Sequence, residues 1–311
     1  PITRPFAEYL LGFLMVQQRS AGGNTAYFLG TVSAAGSRWY FPVLYALKEP
    51  LAVHLLTTVA LVAALAKYRM SRRAHPKRTG ALRRWIAGHF TEFSAFVFIA
   101  VYWAFSMQSP LNIGIRHVLP TFPFIYLLVS RQIADGFVRH RESNPRTWAT
   151  WLRGVSQTYL ASLPRYVFVA VLFLWLAAET IFTFPSFLSY YNQLAGGTAN
   201  GWRIATDSNY DWGQDMKRLA DFAAENHIPS LALDYFGGAN PDFYLGSTFV
   251  PWQSARGPAH GWFAISASTR QSAFGEPAPG FYRRPEDSYG WLRDYEPIAR
   301  AGTSIFIYNL P

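Results

Sequence analysis

The chain contains no cysteine, which excludes disulfides, thiol nucleophiles and thiolate metal sites. It is also short of charge. Only 15% of its 311 residues are Asp, Glu, Lys or Arg, against about 25% in an ordinary soluble domain. Acids are the scarcer sign, 18 against 28 Lys and Arg, for a formal net charge of +10. No Gly-x-Ser-x-Gly elbow and no His/Glu spacing for zinc is present. The run Gly196-Gly197-Thr198-Ala199-Asn200-Gly201 follows no strand signal and lacks a Lys-Ser/Thr ending, so it is not a P-loop. No cofactor motif is evident, and metal dependence stays open. There is no signal-peptide pattern, and the opening Pro1-Ile2-Thr3-Arg4-Pro5 reads as the middle of a longer chain.

What is present is oil and aromatics. Half the residues are apolar and 17% are Phe, Trp or Tyr. Four apolar runs, 41–66, 90–107, 117–134 and 166–186, approach the roughly 20 residues a membrane span needs. The third is the weakest, with Pro120 and Pro123 inside it. The basic residues gather between the runs: eight Lys/Arg and no acid in 67–84, six Arg and two acids in 131–165. Residues 187–311 hold nine basic and twelve acidic residues. This distribution predicts positive-inside topology and argues against a nucleic-acid partner. With four spans, both basic loops face the cytoplasm. Residues 1–40, the link 108–116 and the part 187–311 face the other side. The fold expected is a polytopic α-helical membrane region, 41–186, followed by a small extracytoplasmic α/β domain, 187–311, with 1–40 as an outer loop carrying a short helix over 5–17.

Within the second basic loop, Trp148, Trp151, Leu152, Val155, Tyr159 and Leu163 form a helical stripe suited to the membrane interface. After residue 187 the pattern predicts a helix over 211–226 and strands over 230–236, 261–268 and 304–309. A further helix is expected near 289–295, and the sheet should be largely parallel.

Few residues invite chemistry. Lys48 and the pair Arg116-His117 fall at the outer ends of the first and third runs, where lipid headgroups lie. A cationic cluster there suits a lipid phosphate, Arg as a bidentate fork and Lys as a point charge. Lys48 pairing with Glu49, and Arg116 snorkelling, are the plainer alternatives. His54 and Glu179 lie inside apolar runs, where an ionisable group is costly. Asp207, Asp211 and Asp215 recur at four-residue intervals. On one helix they would share a face and hold a divalent cation or act as acid and base. With Asn209 in a turn, Asp211 becomes a helix N-cap and Asp215 a first-turn acid instead. Trp202, Tyr210, Trp212, Tyr235, Phe243 and Tyr244 are available for stacking on sugar.

Several stretches occur together in order: Arg4-Pro5-Phe6-Ala7-Glu8-Tyr9-Leu10, Trp39-Tyr40-Phe41-Pro42 running to Lys48-Glu49-Pro50, and Gly114-Ile115-Arg116-His117-Val118-Leu119-Pro120. Leu188-Ser189-Tyr190-Tyr191-Asn192, Asp207 to Asp215, and Phe236-Gly237-Gly238-Ala239-Asn240-Pro241 follow. The set resembles the C-terminal half of bacterial phospholipid-carrier-dependent glycosyltransferases, the protein O-mannosyltransferase-like group of the GT-C superfamily. The resemblance implies a multi-pass enzyme of the bacterial inner membrane that moves a sugar from a polyprenyl-phosphate donor to an extracytoplasmic acceptor. It also implies a catalytic carboxylate in an N-terminal half outside these residues. Arg116, His117 and Lys48 are then left to bind the donor phosphate. Asp207, Asn209, Asp211, Trp212 and Asp215 contact sugar or acceptor, or serve structure. Glu49 stands where the family often has Thr. The alternatives are a non-catalytic, membrane-anchored glycan-binding module or partner subunit, and a carrier.

Overall fold

The computed structural model describes residues 3–74, 80–137, 147–156 and 163–311. In chain order the elements begin with α1 (Arg4–Gly22), β1 (Ala26–Phe28), β2 (Thr31–Ser33), α2 (Tyr40–Lys48) and α3 (Leu51–Ala74). Next come α4 (Ala81–Gly88), α5 (Phe90–Gln108), α6 (Phe122–Phe137), α7 (Trp148–Val155) and α8 (Leu163–Thr183). The remainder is α9 (Met216–Glu225), β3 (Leu231–Asp234), α10 (Pro241–Leu245), β4 (Phe249–Pro251), β5 (Gly261–Ser266), α11 (Ala267–Phe274), β6 (Glu276–Pro277), β7 (Ala299–Ala301) and β8 (Ile305–Leu310). Two compact units form: residues 1–48, 105–117 and 183–311 make one, and 49–104 with 118–182 make the other.

The second unit is helical. Among the described residues three helices are long and apolar enough to cross a membrane: Leu51–Ser71 of α3, Phe90–Gln108 and Leu163–Thr183. Two of the four expected spans are therefore revised. The first run breaks at Pro50, which separates α2 from α3 and whose carbonyl accepts from Val53 and His54 as α3 begins. Proline is tolerated at this boundary, where its missing N–H costs no helical bond. The third run yields only α6. Pro120 sits in a short 3-10 turn, Leu119–Thr121, and the α-helix starts at Phe122. Its 16 residues reach about 24 Å, short of the roughly 30 Å hydrocarbon core. The basic stretch 67–84 is also not simply a loop: α3 carries Lys67, Arg69 and Arg73 on its last turns, and α4 carries Arg83 and Arg84. In α7, Trp148 and Trp151 stack at 4.6 Å and remain exposed, as does Leu152. Tyr159 of the predicted stripe lies outside the described residues.

The first unit holds both sheets. The larger has the order β4-β3-β5-β8-β7. Its β4-β3-β5 part is parallel, while β5-β8 and β8-β7 are antiparallel. The sheet is thus mixed rather than largely parallel, because β7 and β8 form a tight hairpin through Gly302, and a hairpin can only pair antiparallel. Its core comprises Met216, Leu219 and Ala223 of α9 against Leu231, Leu233, Ala264, Ile305 and Ile307. In the smaller sheet, β1 and β2 form a hairpin turning through Leu29 and Gly30, both at positive φ, as a primed turn demands. β6 adds in parallel, so residues 26–33 fold with 276–277 and do not form a separate outer loop. The helix predicted from 211 starts only at Met216, since Gly213 at φ 79° is left-handed and cannot continue an α-helix. Near 289–295 there is only a 3-10 turn, Gly290–Leu292.

Candidate functional site

In the first unit a cavity of about 990 Å³ opens beside the 3-10 turn Ile115–His117. Asn24, Arg116, His117, Asp207, Trp212 and Tyr235 are among the residues that line it. The guanidinium of Arg116 lies over the Trp212 ring, 4.4 Å from its centroid. Such a cation–π contact is worth roughly 0.5–1 kcal/mol at an exposed site. Among the described residues Arg116 makes no ion pair and no hydrogen bond, so its fork of N–H donors is uncommitted. The His117 ring is half-buried against Phe41, 6.5 Å between centroids. Burial first, and Arg116 second, hold its pKa below the ordinary 6.5. Both effects favour the neutral imidazole.

The backbone under Arg116 is fixed by the 207–215 stretch. Asn209 is fully buried. Its Oδ1 accepts from the Ile115 amide at 3.0 Å, while its Nδ2 donates to the Tyr40 hydroxyl at 2.7 Å and the Thr206 carbonyl at 3.2 Å. The Ser208 hydroxyl donates to the Ile113 carbonyl. Gly114, at φ 127°, lies directly beneath, where a Cβ would come within 2.3 Å of that hydroxyl oxygen. Two consecutive side chains of one turn therefore hold the 113–115 backbone, and with it the position of Arg116.

Lys48 is placed under this same turn. Its ammonium donates to the carbonyls of Leu188 at 3.0 Å, Tyr190 at 2.9 Å and Asn209, and lies 4.5 Å from the Tyr191 ring centroid. Burial pushes its pKa down to about 7. Three carbonyl acceptors around one nitrogen call for three N–H donors, which only the protonated amine has. Lys48 is not among the residues lining the cavity, and its donors are committed to backbone. Glu49 belongs to the other unit, where it accepts from the Tyr126 hydroxyl at 2.6 Å.

The three aspartates part company. They do not share a helical face, because 207–209 is a 3-10 turn and α9 begins only after Asp215. Asp207, at φ 55°, faces the cavity, and its Oδ1 accepts from the Ser208 amide at 2.5 Å. Asp211 is fully buried and accepts from the Gly213 amide at 3.2 Å and the Ser268 amide at 3.0 Å. Burial outweighs these bonds and raises its pKa to about 6. Asp215 is also fully buried. Its Oδ2 accepts from both the amide and the hydroxyl of Thr303 and of Ser304, at 2.9–3.2 Å, and its Oδ1 pairs with Arg218. Asp211 and Asp215 therefore tie the turn before α9 to α11 and to the β7–β8 hairpin.

Of the stacking candidates, Tyr210 is fully buried and Trp202 packs edge-on against Phe306, whereas Trp212, Phe243 and Tyr244 keep exposed faces. The cavity also uses residues that sequence reasoning passed over: Asn24, Ile113 and Leu111. They carry no motif and become visible only once the chain has folded back. No cluster of three or more His, Asp or Glu side chains suited to a metal occurs among the described residues. Comparison of the chain with protein-family models, with curated proteins and with solved structures yields no match.

Proposed function

We propose that the Arg116–His117 cavity receives the phosphate of a polyprenyl-phosphate-linked sugar. The chain is then the C-terminal part of a membrane glycosyltransferase of the phospholipid-carrier-dependent, protein O-mannosyltransferase-like kind. The observation that carries this reading is the uncommitted guanidinium of Arg116, set over the Trp212 ring at 4.4 Å from its centroid, beside a cavity of about 990 Å³. A fork of N–H donors beside an aromatic plate suits a phosphodiester, with room beyond it for a sugar.

In this reading the sugar leaves its carrier by displacement at the anomeric carbon. Negative charge then grows on the leaving phosphate. Arg116 stabilises that charge, and His117 adds a second donor once the incoming anion favours its protonated form. Asp207 accepts from a sugar hydroxyl, and Trp212 and Tyr235 provide aromatic faces. Asn209 acts beneath the site by holding the Ile115 amide next to Arg116, and Lys48 by holding the Asn209 carbonyl. The acceptor hydroxyl loses its proton to an Asp or Glu expected outside these residues. Three apolar helices support a membrane setting. Their basic flanks favour an inner-membrane, multi-pass protein with residues 187–311 on the extracytoplasmic side.

The test is donor kinetics of Arg116→Ala and Arg116→Lys in the full-length protein in native membranes. Arg116→Ala is expected to raise the donor KM and lower kcat, together costing tenfold or more (about 1.5–3 kcal/mol for a charge-assisted bond), with Lys recovering part. Unchanged donor affinity and turnover in Arg116→Ala would sink the proposal. A second reading, a non-catalytic glycan-binding module or partner subunit, draws on Trp212, Tyr235 and Phe236 all lining the cavity. It would show as saturable glycan binding with no transfer product.

A further inference from the structure

The helical unit holds a separate cavity of about 560 Å³ lined by α3, α5 and α6, with Trp85 of α4 also lining it. Its wall changes character along its length. Ala60, Leu61 and Ala64 of α3 face Phe96 and Ile99 of α5 and Leu128 of α6, and this part is apolar. At the other end Lys67, Glu92, Arg131, Gln132 and Asp135 converge. Thr57 and Ser71, the limits of the lining on α3, are about 21 Å apart along a helix axis. That is an amphiphile's profile: an apolar groove ending in charge at the last turns of a span.

The polar end consists of two cation–carboxylate pairs, Lys67 with Asp135 at 3.3 Å and Arg131 with Glu92. Each cation commits a single nitrogen to its partner, which leaves N–H donors of both free to turn to an anion. Beside them the Gln132 Nε2 is buried with no hydrogen-bond partner. A donor in that state is either a standing cost or waiting for an acceptor.

We infer that this cavity binds one phospholipid with a primary-ammonium headgroup. The phosphodiester is held between Lys67 and Arg131 and the ammonium turns to Asp135. An ester carbonyl accepts from Gln132, and one acyl chain fills the groove from Ala64 to Thr57. Alternating charges on the wall match a zwitterion. A purely anionic headgroup would meet the same cations but set its charge against Glu92 and Asp135. This site is independent of the Arg116 cavity and of the activity proposed there.

The experiment is native mass spectrometry of the full chain, purified in detergent, stripped of lipid, and titrated with mixed micelles. The micelles contain either dioleoylphosphatidylethanolamine or dioleoylphosphatidylglycerol. One ethanolamine lipid per chain is expected. Arg131→Met and Lys67→Met should each weaken its retention about tenfold, as for a lost charge-assisted bond. Ala64→Phe should block the groove without altering charge. Gln132→Leu separates ligand from scaffold: lipid binding falls, while the thermal midpoint of the stripped protein stays level or rises, since an unpaired buried amide has gone. Retention indifferent to both Arg131→Met and Ala64→Phe would overturn the site. Equal binding of the glycerol lipid would overturn the headgroup assignment.

Discussion

Asp211 should make the protein more stable in mild acid than at neutral pH, the reverse of a usual carboxylate. Its pKa in the folded state is raised from 3.8 to about 6, burial being the main cause. The folded protein therefore binds more protons than the unfolded chain between those values. The stability from this group is fully present below 3.8 and is lost as pH rises through about 6. Between pH 5 and pH 8 the loss comes to about 1.4 kcal/mol. Asp211→Asn removes the titration. It keeps one acceptor but turns an NH₂ towards the Gly213 or Ser268 amide, a penalty that does not vary with pH.

The assay is the thermal midpoint, followed by tryptophan fluorescence in a nonionic detergent at fixed ionic strength. Wild type and Asp211→Asn are compared at pH 5 and pH 8. Other titrating groups cancel in the difference between the two proteins. The advantage of wild type should be larger at pH 5 by about 3–6 °C, using the shift per kcal/mol of a domain of this size. An equal gap at both pH values would mean that the group does not titrate in this window. A larger gap at pH 8 would place the titration below pH 5, with the two amide bonds outweighing burial, and would refute the reasoning.

Other outcomes follow from the same contacts. Gly302→Ala should lower stability by about 2 kcal/mol or more, because Gly302 is at φ 56° and its Cβ would lie 2.2 Å from Asp215 Oδ1; chemical denaturation of the purified protein reads this. Lys48→Met should cost about 3 kcal/mol by leaving three backbone carbonyls without a donor, and the lowered thermal midpoint should be accompanied by weakened donor binding, since Asn209 loses its anchor. Trp212→Ala should weaken binding of a polyprenyl-phosphate analogue about three- to fivefold, the measure of one cation–π contact. Burial and Arg116 lower the pKa of His117, so binding of the same analogue should tighten as pH falls and the imidazole gains its proton, and His117→Gln should flatten that dependence.

The parts of the fold that could be read from sequence are those whose signal is local. Phe90–Gln108 and Leu163–Thr183 are apolar over most of their length, and a helix that buries no particular face needs no partner to be recognised. The β8 strand, Ile305–Leu310, is similarly plain, because five of its six residues are buried and its apolar run marks a central strand. The errors lie where one residue changes the outcome. Pro50 and Pro120 divide runs whose average hydropathy hides them. Gly213 delays a helix whose apolar spacing already fits from Trp212 onward.

The candidate site was legible as residue types and illegible as roles. Lys48 and Arg116 are alike in sequence: each is a lone cation flanking an apolar run. Their difference comes from the turn at 207–209, which offers a carbonyl to Lys48 and a side-chain oxygen to the amide of Ile115. One cation is thereby consumed by the scaffold while the other is left facing open space. No local pattern encodes that division, because it depends on contacts between residues 48, 115, 190 and 209. The same holds for the carboxylates. Equal spacing suggested one shared task for Asp207, Asp211 and Asp215, yet the left-handed backbone at Asp207 and Gly213 turns each into a different environment. A regular spacing of charged residues argues for a common face only while the backbone between them is regular.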